Sequence, residues 1–134
     1  MADGKLFKLK IISPDRVFFE GDVEMFELST SEGEIGVYAE HVPLTGIVIP
    51  CVAKIHQNGE VRKAAIHSGF VEILKDSVTV LAEIAEWPSE IDINRANEAK
   101  IRAERRISSG DPNINQLRAE MALKRSLARL GAAD

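Results

Sequence analysis

Apolar and polar residues alternate through the first two-thirds of the chain, and from Ser89 the period lengthens to that of a helix. Phe7, Leu9 and Ile11 alternate with Lys8 and Lys10, the two-residue period of a strand with one buried face. Ser13-Pro14-Asp15 interrupts that pattern. A second strand is predicted over 23–30, with Phe26, Leu28 and Thr30 on one face and Glu27 and Ser29 on the other. Gly33 and Gly36 bracket a tight connection, and His41-Val42-Pro43-Leu44 marks the next bend. Strands over 52–56 and 61–66 flank Gln57-Asn58-Gly59-Glu60. Asn-Gly in that place signals a hairpin, because both residues tolerate the positive φ that a two-residue turn requires. Runs over 69–73 and 78–81 flank Lys75-Asp76-Ser77 and predict another hairpin. Eight or more short strands with no intervening helix point to an antiparallel sandwich or barrel.

Beyond this all-β body, Ser89 or Asp92 can cap a helix by accepting an orphan amide of its first turn. Ala96, Ala99, Ala103 and Ile107 then recur at helical spacing. Ser108-Ser109-Gly110-Asp111-Pro112 ends that helix, and Pro112-Asn113 can begin the next. Leu117, Met121, Lys124 and Ala128 form one stripe of the second helix, and Leu123, Leu127 and Leu130 form another. The short break sets two helices of roughly four turns side by side and antiparallel. Alanines on the facing stripes permit close approach but bury little area, so the hairpin is expected to be only weakly held. The predicted division is a sandwich over 1–88 and a two-helix hairpin over 89–134.

Composition narrows the function. With 134 residues, 45% hydrophobic and 28% charged, the chain can bury a globular core. Its single cysteine, Cys51, sits between Pro50 and Val52 and reads as a small buried hydrophobe; one cysteine forms no internal disulfide. No apolar run reaches the roughly 18–20 residues of a membrane-spanning helix, and the first residues lack the pattern of a secretory signal. A soluble, cytosol-facing chain is expected, without direct membrane insertion. The charge is uneven: seven of nine arginines lie in 91–134, where nine Lys and Arg face six Asp and Glu. Residues 1–90 carry eight against fifteen. Arginine's planar fork suits carboxylates and phosphates, so the basic segment implies an anionic partner. Nucleic acid is disfavoured, since the body is acidic and the tail lacks aromatic stacking groups.

Catalytic signatures are absent: no phosphate-binding loop, no dinucleotide fingerprint, no H-E-x-x-H and no G-x-S-x-G. His41, His56 and His67 fall in or beside separate strands, so no metal site is expected, and Glu83 and Glu86 read as solvent-facing. The chain is expected not to be an enzyme. On the first helix Arg95, Glu98, Arg102 and Arg106 share a face; on the second, Arg118, Ala122, Arg125 and Arg129 do. Two readings follow: a solvated surface of weak ion pairs, or a cleft in which two arginine rows meet an anion.

Taken in order, the landmarks resemble the epsilon subunit of the rotary F-type ATP synthase. In the body these are Ser13-Pro14-Asp15, Gly21-Asp22-Val23, Gly33-Glu34-Ile35-Gly36-Val37, His41-Val42-Pro43-Leu44, Ser68-Gly69-Phe70-Val71-Glu72 and Val78-Thr79-Val80-Leu81-Ala82. In the tail they are Ile91-Asp92-Ile93-Asn94-Arg95-Ala96, Ala103-Glu104-Arg105-Arg106 and Ala119-Glu120-Met121-Ala122-Leu123-Lys124-Arg125. The resemblance implies a sandwich, or flattened barrel, of about ten strands followed by an antiparallel helical hairpin. It implies a non-catalytic rotor subunit whose sandwich binds the gamma subunit and the c-ring, coupling proton or sodium flow to ATP synthesis. It places the chain at the cell membrane, peripheral on the cytoplasmic side. The hairpin would lie on the sandwich or extend toward the catalytic alpha/beta hexamer and inhibit hydrolysis.

Some bacterial members bind ATP on the folded hairpin through a motif that Ile91-Asp92-Ile93-Asn94-Arg95-Ala96 matches. Carried over by position, Glu86, Asp92, Arg95 and Arg102 would line half of that site, and Arg125 and Arg129 the other half. ATP would then be a regulatory ligand, with no cofactor required. The remaining alternative is a free-standing nucleotide-binding sensor.

Overall fold

The computed structural model describes residues 5–134. Eight strands come first: β1 (Phe7–Ser13), β2 (Arg16–Val23), β3 (Met25–Thr30), β4 (Gly33–Val37), β5 (Leu44–Val48), β6 (Cys51–Gln57), β7 (Glu60–Ile73) and β8 (Ser77–Glu86). A 3-10 turn (Pro88–Glu90) leads to α1 (Ile93–Ser108) and α2 (Gln116–Ala133). The two-part fold is the expected one, with eight strands where the resemblance implied about ten. All strand pairs are antiparallel except β1 with β8.

The predicted alternation carries the core. Phe7, Leu9 and Ile11 of β1 and Phe26 and Leu28 of β3 are buried, and the buried cluster draws on all eight strands. The hairpin at Asn58-Gly59 forms with φ of 54° and 77°, the left-handed pair such a turn demands. Three expectations change. Gly33–Val37 is a strand rather than a connection, because Thr30 Oγ1 accepts from Glu32 N at 3.2 Å and closes the turn just before it. Gly36 lies in that strand, where a Cβ would come 2.8 Å from the Met25 methyl. The runs 61–66 and 69–73 are one strand, since His67 and Gly69 stay paired with Ile84 and Ala82.

β7 is therefore the spine of the body. Its first half pairs with β6 and its second with β5, while β8 pairs along its other edge. Ser68, at φ 50°, marks the change between the halves, and Gly69 permits it. A Cβ on Gly69 would lie 2.1 Å from the Leu81 carbonyl oxygen.

Asp92, not Ser89, caps α1, accepting from Arg95 N at 3.1 Å. The second helix starts at Gln116 rather than at Pro112-Asn113, because Asn115 Oδ1 accepts from Arg118 N at 3.0 Å and sets the first turn there. Every buried position on the helices is small: Ala96 and Ala103 on α1, Ala119, Ser126, Ala128 and Ala132 on α2. Leu117 and Leu127, expected in the stripes, are instead 70% and 48% exposed. The close contact selects small side chains and leaves these two leucines outside it, while Leu123 and Leu130 are half-buried. α2 packs against β6 and β7, with a Cβ at Gly131 meeting Val52 at 2.8 Å, whereas α1 packs mainly on α2.

Replacing Gly69 by alanine should lower unfolding stability by about 1–3 kcal/mol, since backbone rather than a flexible side chain must yield. Gly46→Ala, whose added methyl would meet Thr30 at an ordinary 3.5 Å, should be much milder. Urea unfolding of both variants checks the contrast.

Candidate functional site

Where the helices meet near their connection, one arginine of α1 and two of α2 come together. Near the connecting loop lies a pocket of about 470 Å³. Arg106 of α1, Arg118 and Arg125 of α2, and Asn113, Ile114 and Asn115 of the connection line it, with Ala119 and Ala122 at the wall. No carboxylate is among these lining residues. Among the described residues none of the three arginine side chains has a hydrogen-bond or ion-pair partner. Three unpaired guanidinium forks around one cavity suit an anion with several oxygens.

The six sequence-derived residues fall in four places. Arg125 lines the loop-end pocket, while Arg95 and Arg102 sit on the exposed part of α1 and do not line it. Asp92 is occupied as the α1 cap. Glu86 and Arg129 meet each other, Arg129 Nε donating to Glu86 Oε1 at 2.8 Å. The residues added by the structure are Arg106, Arg118 and His67. The first two were present in the arginine rows read from helical spacing; no signal in the strand pattern singled out His67.

His67 is 1% exposed on β7, and its Nε2 lies 3.0 Å from Glu86 Oε1. Partial burial alone would push the Glu86 carboxyl up, but hydrogen bonds from His67 and Arg129 and the Arg129 charge outweigh it. Together they hold the group below the usual carboxylate range. An ionised Glu86 only accepts, so His67 Nε2 carries the proton, and its buried Nδ1 has no partner. The three side chains tie β7 and β8 to α2. The other histidines are elsewhere: His56 pairs with Glu27 at 2.6 Å, and His41 Nδ1 lies 2.6 Å from the Val42 carbonyl. No group of three or more His, Cys, Asp or Glu among the described residues could hold a metal ion, and no helix is long and apolar enough to cross a membrane.

Residues 6–88 match the family described as "ATP synthase, Delta/Epsilon chain, beta-sandwich domain", and 89–134 match its "long alpha-helix domain". The ATP synthase epsilon chain of Caldanaerobacter subterraneus subsp. tengcongensis is 42% identical over 131 residues, 97% of this chain and 95% of its own length. That of Clostridium novyi is 42% identical over 127 residues, 94% and 96% of the respective lengths. In fold, the chain is similar to one in the Euglena gracilis mitochondrial ATP synthase structure comprising OSCP, F1 and c-ring. That likeness has a TM-score of 0.82 at 24% identity and covers 98% of this chain and 84% of the other.

The Glu86 link gives a pH dependence with a definite sign. Its folded-state pKa is depressed, so its stabilisation is complete above the ordinary value of roughly 4.3 and is lost as pH falls through the lower folded value. The nuclear Overhauser contact between the Val52 methyls and Gly131 should weaken over that acid range. Glu86→Gln should lower docking at neutral pH and abolish this acid step; a parent-like titration in that variant would exclude Glu86 as the group responsible.

Proposed function

The chain belongs to the delta/epsilon family of ATP synthase subunits, and we propose that it serves as the central-stalk rotor subunit, anchored by its sandwich and regulatory through its hairpin. Coupling of ion flow to ATP synthesis would run through the anchor, and inhibition of ATP hydrolysis through the hairpin. One observation carries the anchoring role. Ile47, Phe70, Leu81, Ile12 and Val17 lie opposite one another across β5, β7, β8, β1 and β2, forming an apolar row in register. Ile47 is 60% exposed, Phe70 44%, Leu81 52% and Val17 52%. A continuous exposed apolar strip of this kind marks a protein-binding face rather than scattered surface residues. The gamma subunit is its proposed occupant, with the c-ring meeting the sandwich nearby. The protein would then be peripheral to the membrane, on the side that carries the catalytic alpha/beta hexamer.

A second reading, that the hairpin senses ATP, is favoured by the loop-end pocket. ATP carries the several phosphate oxygens that the three free guanidinium groups can bind. A ligand that binds only the docked hairpin stabilises it in proportion to RT ln(1 + [L]/Kd), about 2.7 kcal/mol at a hundredfold excess over Kd. Falling ATP would remove that bias and release the basic helices toward acidic surfaces of the catalytic subunits. Arg95 and Arg102 would join the site if their side chains turn inward on binding.

Two experiments test these roles. Phe70→Asp with Leu81→Asp should abolish capture of the gamma subunit by the full chain while leaving its own fold intact by circular dichroism. Undiminished capture removes the anchoring assignment and leaves the free-standing sensor. Calorimetric titration with ATP should show binding weakened roughly 10–100-fold by Arg125→Ala, as expected when a charged hydrogen bond worth about 1.5–3 kcal/mol is lost. Arg106→Ala and Arg118→Ala should each weaken it too. Arg105→Ala, outside the pocket, should not, and equal affinities throughout would exclude this pocket as the site.

A further inference from the structure

The segment that joins β8 to α1 is fastened at nearly every residue, and the fastenings belong to two different bodies. Trp87 stacks on Phe18 with ring centroids 4.1 Å apart and planes at 18°. The Arg62 guanidinium lies 4.0 Å from the Trp87 ring centre, and Phe19 meets the ring edge-on at 6.4 Å. Arg16 lies 5.0 Å from the Phe18 ring and forks onto Glu90, its Nη1 and Nη2 donating at 2.9 and 2.7 Å. Glu90 turns back to accept from Trp87 N at 2.8 Å. Along the backbone, Glu90 N donates to Trp87 O at 2.9 Å and Ile91 N to Pro88 O at 3.2 Å. Arg16, Phe18, Phe19 and Arg62 are all sandwich residues, so 87–90 is part of that body.

Asp92 belongs to the helix. Its Oδ1 caps Arg95 N at 3.1 Å, and its carbonyl accepts from Ala96 N at 3.0 Å. Ile91 alone stands between the two sets, extended at φ −96° and ψ 127°. The last residues of α2, Ala132, Ala133 and Asp134, face Trp87 and Pro88 across a pocket of about 540 Å³, so the stack is built from sandwich residues and not from α2.

We infer that the hairpin, when it leaves the sandwich, turns about the torsions of Ile91, while residues 87–90 remain clamped to the sandwich. This rests on the mobile-hairpin reading above. A stacked aromatic pair with a guanidinium group over each ring, and a bidentate arginine–carboxylate pair behind it, resists peeling better than one extended residue resists rotation. A single pivot makes the movement a swing rather than the paying-out of a tether. The start of α1 stays near the sandwich, and the loop end, roughly 24 Å away along a 16-residue helix, travels farthest. The arginines of the loop-end pocket are therefore the ones carried to a distant partner.

The test forces the hairpin off without relying on ATP. Gly131→Leu drives a side chain into Val52, and Arg129→Glu sets a second carboxylate against Glu86; the full-length double variant combines them. Loss of the Overhauser contact between Val52 and the side chain at position 131 reports undocking. In the undocked chain the Trp87–Phe18 Overhauser contact and slow exchange of the Trp87 amide should persist. The heteronuclear relaxation of backbone amides should dip at Ile91 and Asp92. Adding Arg16→Ala should then speed Trp87 exchange several-fold and spread the dip toward Ser89. An undocked hairpin with the Trp87–Phe18 contact already lost and the dip centred at Ser89 overturns the pivot but leaves the mobile hairpin standing. A contact between Val52 and position 131 that survives in the double variant overturns the mobile hairpin, and the pivot with it.

Discussion

Glu86, at the end of β8, takes one hydrogen bond from a buried histidine of its own body and another from Arg129 of α2. This three-way contact ties the sandwich to the hairpin. His67 is enclosed in the sheet and holds the carboxylate from the sandwich, while Arg129 holds it from α2. Removing one member of such a pair strands the other, at a cost of about 1–3 kcal/mol. Around it the contact is made by Ala128, Gly131 and Ala132, which let the helix come close but bury little apolar area. The docking is thus specific in geometry and modest in buried area.

The body contrasts with this in every respect. Its core draws large side chains from all eight strands, and β7 couples both halves of the sheet through one bend at Ser68-Gly69. Its outer surface presents an apolar row that α2 does not cover. One face of the body is this exposed apolar row, and α2 packs elsewhere, on β6 and β7. Charge is divided the same way: the acidic body holds most carboxylates, and the arginines concentrate in the helices.

Much of this was readable in the residues. The inward faces of β1 and β3, the Asn58-Gly59 turn and the helical hairpin follow from period and turn chemistry alone. What was not readable depends on what lies opposite a residue. Position 36 takes glycine because Met25 occupies the space beside it in the strand, and the two runs of β7 join because β8 holds both. Leu117 and Leu127 of α2 face outward because small side chains fill its buried contacts. Periodicity names the rows of arginines but not their partners. Arg125 belongs with Arg106 and Arg118, and Arg129 with Glu86, because α2 is docked by one end and open at the other.

The most direct measurement is a distance between the two bodies in the assembled complex. Spin labels at position 20 on the sandwich and 112 in the hairpin loop, read by double electron–electron resonance, report the loop end directly. The predicted result is a single short distance at saturating ATP and a second, much longer one as ATP is withdrawn, with the short distance retained longest at neutral pH. One unchanged distance under all conditions would contradict a detachable hairpin latched through Glu86.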